Sequence, residues 1–394
     1  MGFAAGSVSY QRFHVTGKMP KDVDDAFVTA LNARSFGRIP PATDQTQYGW
    51  IGPGHLFETE IAAERIAFGD YVHVALRIDK LKVPPAILKS YVRQEEEVAL
   101  QVSGREFLSK FERKKAREAA ILRAEQESRD GRFRRAGAVG VLIDLASRHV
   151  YLGNTSTAVA DRLMAVFSDT FGVVIEPETS GRLASRLMIA AKNGRALENL
   201  EPIQLVHPPD GHAPDEADFV DRGQDFLGKE FLSWLWFRTD ADDGPLRIAG
   251  GNDVTVMIDK SLRLKCDFGL TGTTMISADH PVELPEAKAA LRIGKSPNRA
   301  GVVLGSGLGE FRLSLEAQRW TIGGLTLPEP PAEETDARTR LENRFEQIAD
   351  VAGQLDALYD LFLTERIGAK WSTIERAMQK WAAGRNDEAA LRAG

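Results

Sequence analysis

The chain has 394 residues, 43% hydrophobic and 27% charged, with a formal net charge of −6. That composition argues against a globally disordered chain, and the length suits two or three domains. The lone cysteine, Cys266, excludes a disulfide framework and fits a reducing compartment.

The opening residues, MGFAAGSVSYQRFHV, lack a basic stretch followed by an apolar one, so no secretory signal is expected. Ser7 stands one position late for myristoylation at Gly2. No run of eighteen apolar residues occurs, so no membrane span is expected. Residues 8–16 alternate as a strand does. Lys21–Arg34 puts Val23, Phe27, Ala30 and Leu31 at helical spacing, and Gly37 with Pro40 and Pro41 ends that helix. His55–Ile61 and Tyr71–Ile78 are predicted strands, the second with Val72, Val74, Leu76 and Ile78 on one face.

Pro84 and Pro85 stop this strand and can open a helix. Two helices are predicted, Ala86–Leu100 and Arg105–Gln126, broken at Ser103–Gly104. Both are rich in Glu, Lys, Arg and Ala, and with so little apolar surface the pair is expected to project from the body. Ala138–Asp144 is an apolar run expected to be a buried strand, with His149–Leu152 as its hairpin partner. Helix Thr157–Phe171 follows, capped by Asn154 or Thr155 and stopped by Gly172, and then a short strand, Val173–Ile175.

Glu201–Ala217 holds Pro202, Pro208, Pro209, Gly211 and Pro214 and is the best linker candidate. Phe231–Phe237, FLSWLWF, is unusually aromatic. Val254–Phe268 is predicted as a hairpin, with Val254, Val256 and Ile258 on one arm and Leu262, Leu264 and Cys266 on the other. Phe311–Leu327 is a second hairpin around Ala317 and Gln318. Gly305, Gly307 and Gly309 fit a turn between strands; a dinucleotide fingerprint would need a helix after them. The long helix Glu333–Thr364 carries Leu341, Phe345, Ile348, Ala352, Leu355, Tyr359 and Phe362 at heptad spacing. This stripe suits a partner helix or the chain's own sheet, the latter being favoured over so few heptads. Ser372–Ala383 is the last predicted helix, flanked by Trp371 and carrying Trp381.

Charge is uneven. Residues 105–135 hold eleven Lys and Arg against six acids, a net of +5. The chain totals −6, so the remainder carries −11. A basic arm on an acidic body fits a site that meets phosphate, although a solvated helix of mixed charge has the same composition. Standard catalytic patterns are missing. None of the seven histidines stands four residues from another, and the acids at Asp240, Asp242 and Asp243 are out of register for a calcium loop. There is no phosphate-binding loop of the GxxxxGK type and no GxSxG elbow. No catalytic residue, metal or cofactor is expected.

An ordered series of motifs resembles the RdgC family of recombination-associated DNA-binding proteins. Tyr48-Gly49-Trp50-Ile51-Gly52-Pro53 is similar to the family's turn after its first helix. The stretch from Val72 through Lys82-Val83-Pro84-Pro85-Ala86-Ile87-Leu88-Lys89 is similar to its strand, proline turn and first finger helix. Phe107–Arg117 resembles the basic stretch of that finger, and Gly131-Arg132-Phe133-Arg134-Arg135 the segment leaving it. Val141–Asp144, Tyr151, Thr157–Phe171 and Val173–Pro177 continue in the same order. The resemblance spans roughly residues 10–180 and thins beyond, where about 205–310 is extra length.

The resemblance implies a ring-shaped homodimer that encircles duplex DNA without strong sequence preference. It also implies antagonism toward the RecA recombinase and a cytoplasmic, nucleoid-associated protein. DNA-binding residues would be Lys110, Arg113, Lys114, Lys115, Arg117, Arg123, Arg132, Arg134 and Arg135, with Phe133 at the dimer gate. The expected architecture is α+β, with mixed sheets, flanking helices and a projecting helical finger. Residues 1–83 and 137–200 would form the central α+β domain and 84–136 the finger. Residues 201–217 would be a linker, 218–330 a second α+β domain with hairpins, and 331–394 C-terminal helices. Two other readings stay open: a metal-dependent DNA nuclease gripping substrate with the basic arm, and a dimeric scaffold that ignores DNA.

Overall fold

The computed structural model describes residues 2–38, 40, 46–127, 131–206, 223–241, 244–249, 251–307, 309–328 and 336–384. The fold is α+β, a thirteen-stranded antiparallel sheet with helices packed against it. In chain order the first half runs β1 (Val8–Thr16), α1 (Asp25–Ala33), β2 (Gln47–Ile51), α2 (Ala63–Ile66), β3 (Ala67–Phe68) and β4 (Tyr71–Leu81). Helices α3 (Pro85–Ser103) and α4 (Lys110–Glu127) follow, then β5 (Arg134–Asp144), β6 (His149–Leu152), α5 (Thr157–Phe171), β7 (Val174–Pro177) and α6 (Ser180–Ala190). The second half runs α7 (Phe226–Ala241), β8 (Leu246–Arg247), β9 (Asp253–Cys266), β10 (Thr274–Ala278), α8 (Pro285–Arg292), β11 (Lys295–Ser306), β12 (Gly309–Glu316), β13 (Thr321–Thr326), α9 (Ala337–Arg366) and α10 (Trp371–Ala382).

Strand β1 joins the two halves. The sheet order is β10-β9-β11-β12-β13-β1-β6-β5-β4-β2, so β1 pairs with β13 on one side and β6 on the other. The first half-sheet is buried on both faces, which explains its apolar runs. Val72, Val74, Leu76, Val141 and Ile143 point into a core under α1 and α5 with Phe27, Leu163 and Phe167. Leu142 points the other way, into a larger core with α6, α7 and α9.

The heptad stripe of α9 is absorbed by this larger core. Phe345 lies edge-on to Phe68, at 5.4 Å between ring centres, and Tyr359 lies edge-on to Phe231 at 5.3 Å. The FLSWLWF segment is a helix apolar on every side, as a helix enclosed by other elements must be. Phe231, Trp234 and Trp236 are all fully buried, and Trp236 stacks edge-on to Trp381 of α10. Among the described residues, no helix is long and apolar enough to cross a membrane.

Two predicted elements are corrected. His55–Ile61 is a loop and the strand is β2. Gly52 N–H donates to the Glu58 carbonyl and Gly54 N–H to its carboxylate, each at 2.8 Å, which closes the chain around Glu58. Val254–Phe268 is not a hairpin, because residues 253–266 form the single strand β9. It kinks at Lys260, whose φ is 64°, and there the pairing with β11 shifts register. Gly301 makes the bulge possible: a Cβ there would lie 2.1 Å from the Asp259 carbonyl oxygen. The linker segment lies outside the described residues from 207 onward.

Candidate nucleic-acid interface

Helices α3 and α4 form a hairpin between β4 and β5. Pro85 opens α3, and Gly104 closes it in the left-handed conformation, its N–H donating to Leu100 O at 2.9 Å. The second helix starts at Lys110, later than the spacing predicts, because Ser109 and Glu112 form a capping box. Glu112 N–H donates to Ser109 Oγ at 3.2 Å, and Ser109 N–H donates to the Glu112 carboxylate at 2.8 Å. Hydrogen bonding to its carboxylate from Ser109, side chain and backbone N–H, holds Glu112 below its ordinary range.

Ala116, Ala120 and Ala124 are the buried residues of α4; spaced four apart, they let α3 approach closely. Among the described residues, each helix packs extensively only on the other. The hairpin is latched near its root. Arg123 donates to Glu127 at 3.1 Å and to Gln94 at 3.0 Å, and its guanidinium lies 4.6 Å from the Tyr91 ring centre. Tyr91 donates to Glu127, and this hydrogen bond pushes the phenol up and the carboxyl down. Arg123 is thus committed within the hairpin, unlike most of the cations predicted with it.

Lys110, Arg113, Lys114 and Arg117 follow i, i+3, i+4, i+7 spacing and share one exposed face of α4. Lys114 pairs with Glu118 at 3.9 Å in water, a contact of little energetic weight. Lys115 lies off this face, its ammonium 4.9 Å from the Phe111 ring centre. Arg132, Arg134 and Arg135 are exposed where the chain enters β5. Arg135 is cross-strand from Lys80 on one face of the sheet, Arg134 projects on the other, and Lys82 follows just past the end of β4, so four cations lie near the root. Lys80 and Lys82 were not singled out in the sequence; the register of β4 against β5 brings them in.

Phe133 occupies the left-handed region with φ 65°, a conformation that costs a non-glycine residue about 1 kcal/mol or more. It is half-buried, and its carbonyl accepts from Lys82 N–H at 3.0 Å. The more exposed apolar surface lies at the far end of the hairpin, on Val98, Val102, Phe107 and Phe111, with Val102 85% and Phe107 76% exposed. The sequence carries this group as scattered residues across a turn, which helical periodicity alone does not join. Arg129 lies outside the described residues.

Among the described residues, no group of three or more His, Cys, Asp or Glu side chains is arranged to hold a metal ion. Comparison of the chain with protein-family models and with curated proteins gave no match.

Proposed function

We propose that this protein binds duplex DNA through the phosphate backbone, using the α3–α4 hairpin as its grip. The carrying observation is the row of four cations on one exposed face of a helix pair held clear of the body. Guanidinium and ammonium groups in such a row bond phosphate oxygens and release condensed counterions. These contacts position a protein on DNA without reading its sequence. Lys80, Lys82, Arg134 and Arg135 extend the basic surface to the root of the hairpin, and the acidic remainder of the chain steers DNA toward it.

The active form is a homodimer that closes around the duplex, as the resemblance to the RdgC family implies. Phe133 makes the gate contact, and the exposed apolar end of the hairpin offers a second surface for the partner copy. An apolar contact ringed by charge suits a closure that forms and reopens. By occupying DNA, such a clamp restrains RecA-dependent strand exchange.

The test is fluorescence anisotropy of a labelled duplex across a salt series, with and without magnesium, using wild type and a variant carrying K110A, R113A, K114A and R117A. Wild type is expected to lose affinity steeply with salt and to leave the DNA intact. The variant's log–log salt slope should fall by about 0.9 per phosphate contact removed. Equal slopes would overturn the assignment of this face, and magnesium-dependent cleavage would replace it with a nuclease.

A further inference from the structure

Strand β5 is paired along one side for its whole length and along the other for less than half of it. Arg134–Asp144 pair with β4 from Leu81 back to Tyr71. On the opposite side β6 covers only Val141–Asp144. Gly153 N–H extends that ladder by one bond, donating to the Gly140 carbonyl at 2.9 Å. Two bonds fix which backbone groups point where. The Phe133 carbonyl accepts from Lys82 N–H at 3.0 Å, so odd-numbered residues of β5 turn their backbone groups toward β4. Gly140 accepts from the β6 side, so even-numbered residues turn theirs outward.

Arg134, Ala136 and Ala138 are therefore aimed at an open edge. Arg134 N–H closes a turn on the Gly131 carbonyl at 3.3 Å. Among the described residues, the Arg134 carbonyl and both backbone groups of Ala136 and Ala138 have no hydrogen-bond partner. Residues 134–137 are exposed, and Ala138 and Val139 are half-buried. Open edges are usually guarded by a bulge, a proline or a charge. Here Ala136, Gly137 and Ala138 offer an incoming strand nothing to clash with, and the charges stand at one end only. Arg134 projects on one face, Arg135 and Lys80 on the other. Asp79, the one acid of β4, is held by Arg77 at 2.8 Å.

We propose that β5 accepts a further strand from an acidic partner protein. The segment runs antiparallel to β5, with apolar side chains across from Ala138 and Ala136 and carboxylates near its C-terminal end on Arg135 and Arg134. Main-chain hydrogen bonds hold such a strand, and its side chains set the choice of partner. A second copy of β5 suits the edge less well, because it would double the cations at the seam and bring no free acid to it. The edge is separate from the cation row of α4, so this proposal is independent of the DNA reading.

The experiment is fluorescence anisotropy of the full chain with the fluorescein-labelled peptide TITVEE and its counterpart TITVKK. TITVEE is also made N-methylated at isoleucine and valine, or at both threonines. TITVEE is expected to bind about tenfold or more tightly than TITVKK. Methylation at isoleucine and valine, whose N–H groups face β5 in this register, should abolish binding, and methylation at the threonines should leave it. Ala138→Pro should fold, since the N–H it removes points away from β4, and should lose TITVEE. The variant K110A, R113A, K114A and R117A should bind TITVEE as wild type does. Absence of TITVEE binding would overturn the proposal, as would equal binding of TITVKK or equal effects of the two methylations. The methylated peptides test the edge even where Ala138→Pro does not fold. A wild-type dimer that Ala138→Pro dissociates, with no TITVEE binding, would assign the edge to a second copy and overturn the acidic partner. Loss of TITVEE in the α4 variant would do the same by placing the peptide on that helix.

Discussion

The guanidinium of Arg12 in β1 donates to the carboxylate of Asp356 in α9 at 2.6 Å, across 344 residues of sequence. Glu178 lies 3.6 Å from the same guanidinium, and Arg186 reaches both acids, at 3.1 Å to Glu178 and 3.5 Å to Asp356. Burial disfavours the Arg12 charge, and the two carboxylates outweigh that penalty. The His149 ring, its Nε2 3.6 Å away, and the same two guanidinium groups overcome burial at Glu178 and hold its carboxyl down to about 2.

Asp356→Ala would leave a sealed Arg12 with one acid in place of two. Removing one partner of a buried pair costs about 3 kcal/mol. The expected result is a lower urea midpoint at an unchanged denaturant slope. A midpoint equal to wild type would mean that Glu178 alone satisfies Arg12.

Acid should weaken the fold before Glu178 is protonated. Burial between Phe3 and Phe345 lowers His73 from the ordinary 6.5 to about 4. Above pH 6.5 His73 is neutral in both states and costs nothing. As pH falls from 6.5 toward 4, the unfolded chain takes up a proton that the folded one refuses, and stability is lost across that window. The difference amounts to about 3 kcal/mol. His14 and His149 are also lowered by burial and act with the same sign. Urea midpoints measured from about pH 7 to about pH 4 should therefore fall, and less so in His73→Leu. Parallel curves for the two proteins would refute the role of His73.

Phe133→Gly separates backbone strain from dimer closure. Glycine accepts a φ of 65° freely, so the variant's folding stability should stay within about 1 kcal/mol of wild type. Its dimer, followed by sedimentation, should dissociate more readily, and its lifetime on circular DNA should shorten. A variant that dimerises and holds DNA as wild type does would remove Phe133 from the gate.

Much of this fold was legible because its cores impose clean periods. Val72, Val74 and Leu76 fall at every second position because side chains of β4 alternate between its faces and these three enter one core, and the stripe from Phe345 to Phe362 is continuous because α9 lies along the other. The failures sit where long-range contacts override local pattern. Lys260 reads as a turn between two arms, yet Gly301, distant in sequence, accepts the bulge and keeps β9 whole. At the interface, charge density marked α4. Separating Arg123 from Arg113 and Arg117 required knowing that Tyr91 and Gln94 stand opposite it on α3. The capping box of Ser109 and Glu112 was readable in the sequence and would have set the start of α4 correctly.

The pairing of Val8 with Leu325 places one of the earliest strands against the last. As the chain emerges from the ribosome, β1 can join β6 once about residue 152 is made, but its other partner is still unsynthesised. Closure of this seam is a late, non-local event with a large loop entropy to overcome, which makes such folding slow. Until then the edge of β1 that will take β13 presents unpaired backbone groups, the kind of surface that recruits other chains. A pause in translation between the two halves should therefore favour aggregation, and nascent chains halted before residue 321 are where a chaperone would be needed most.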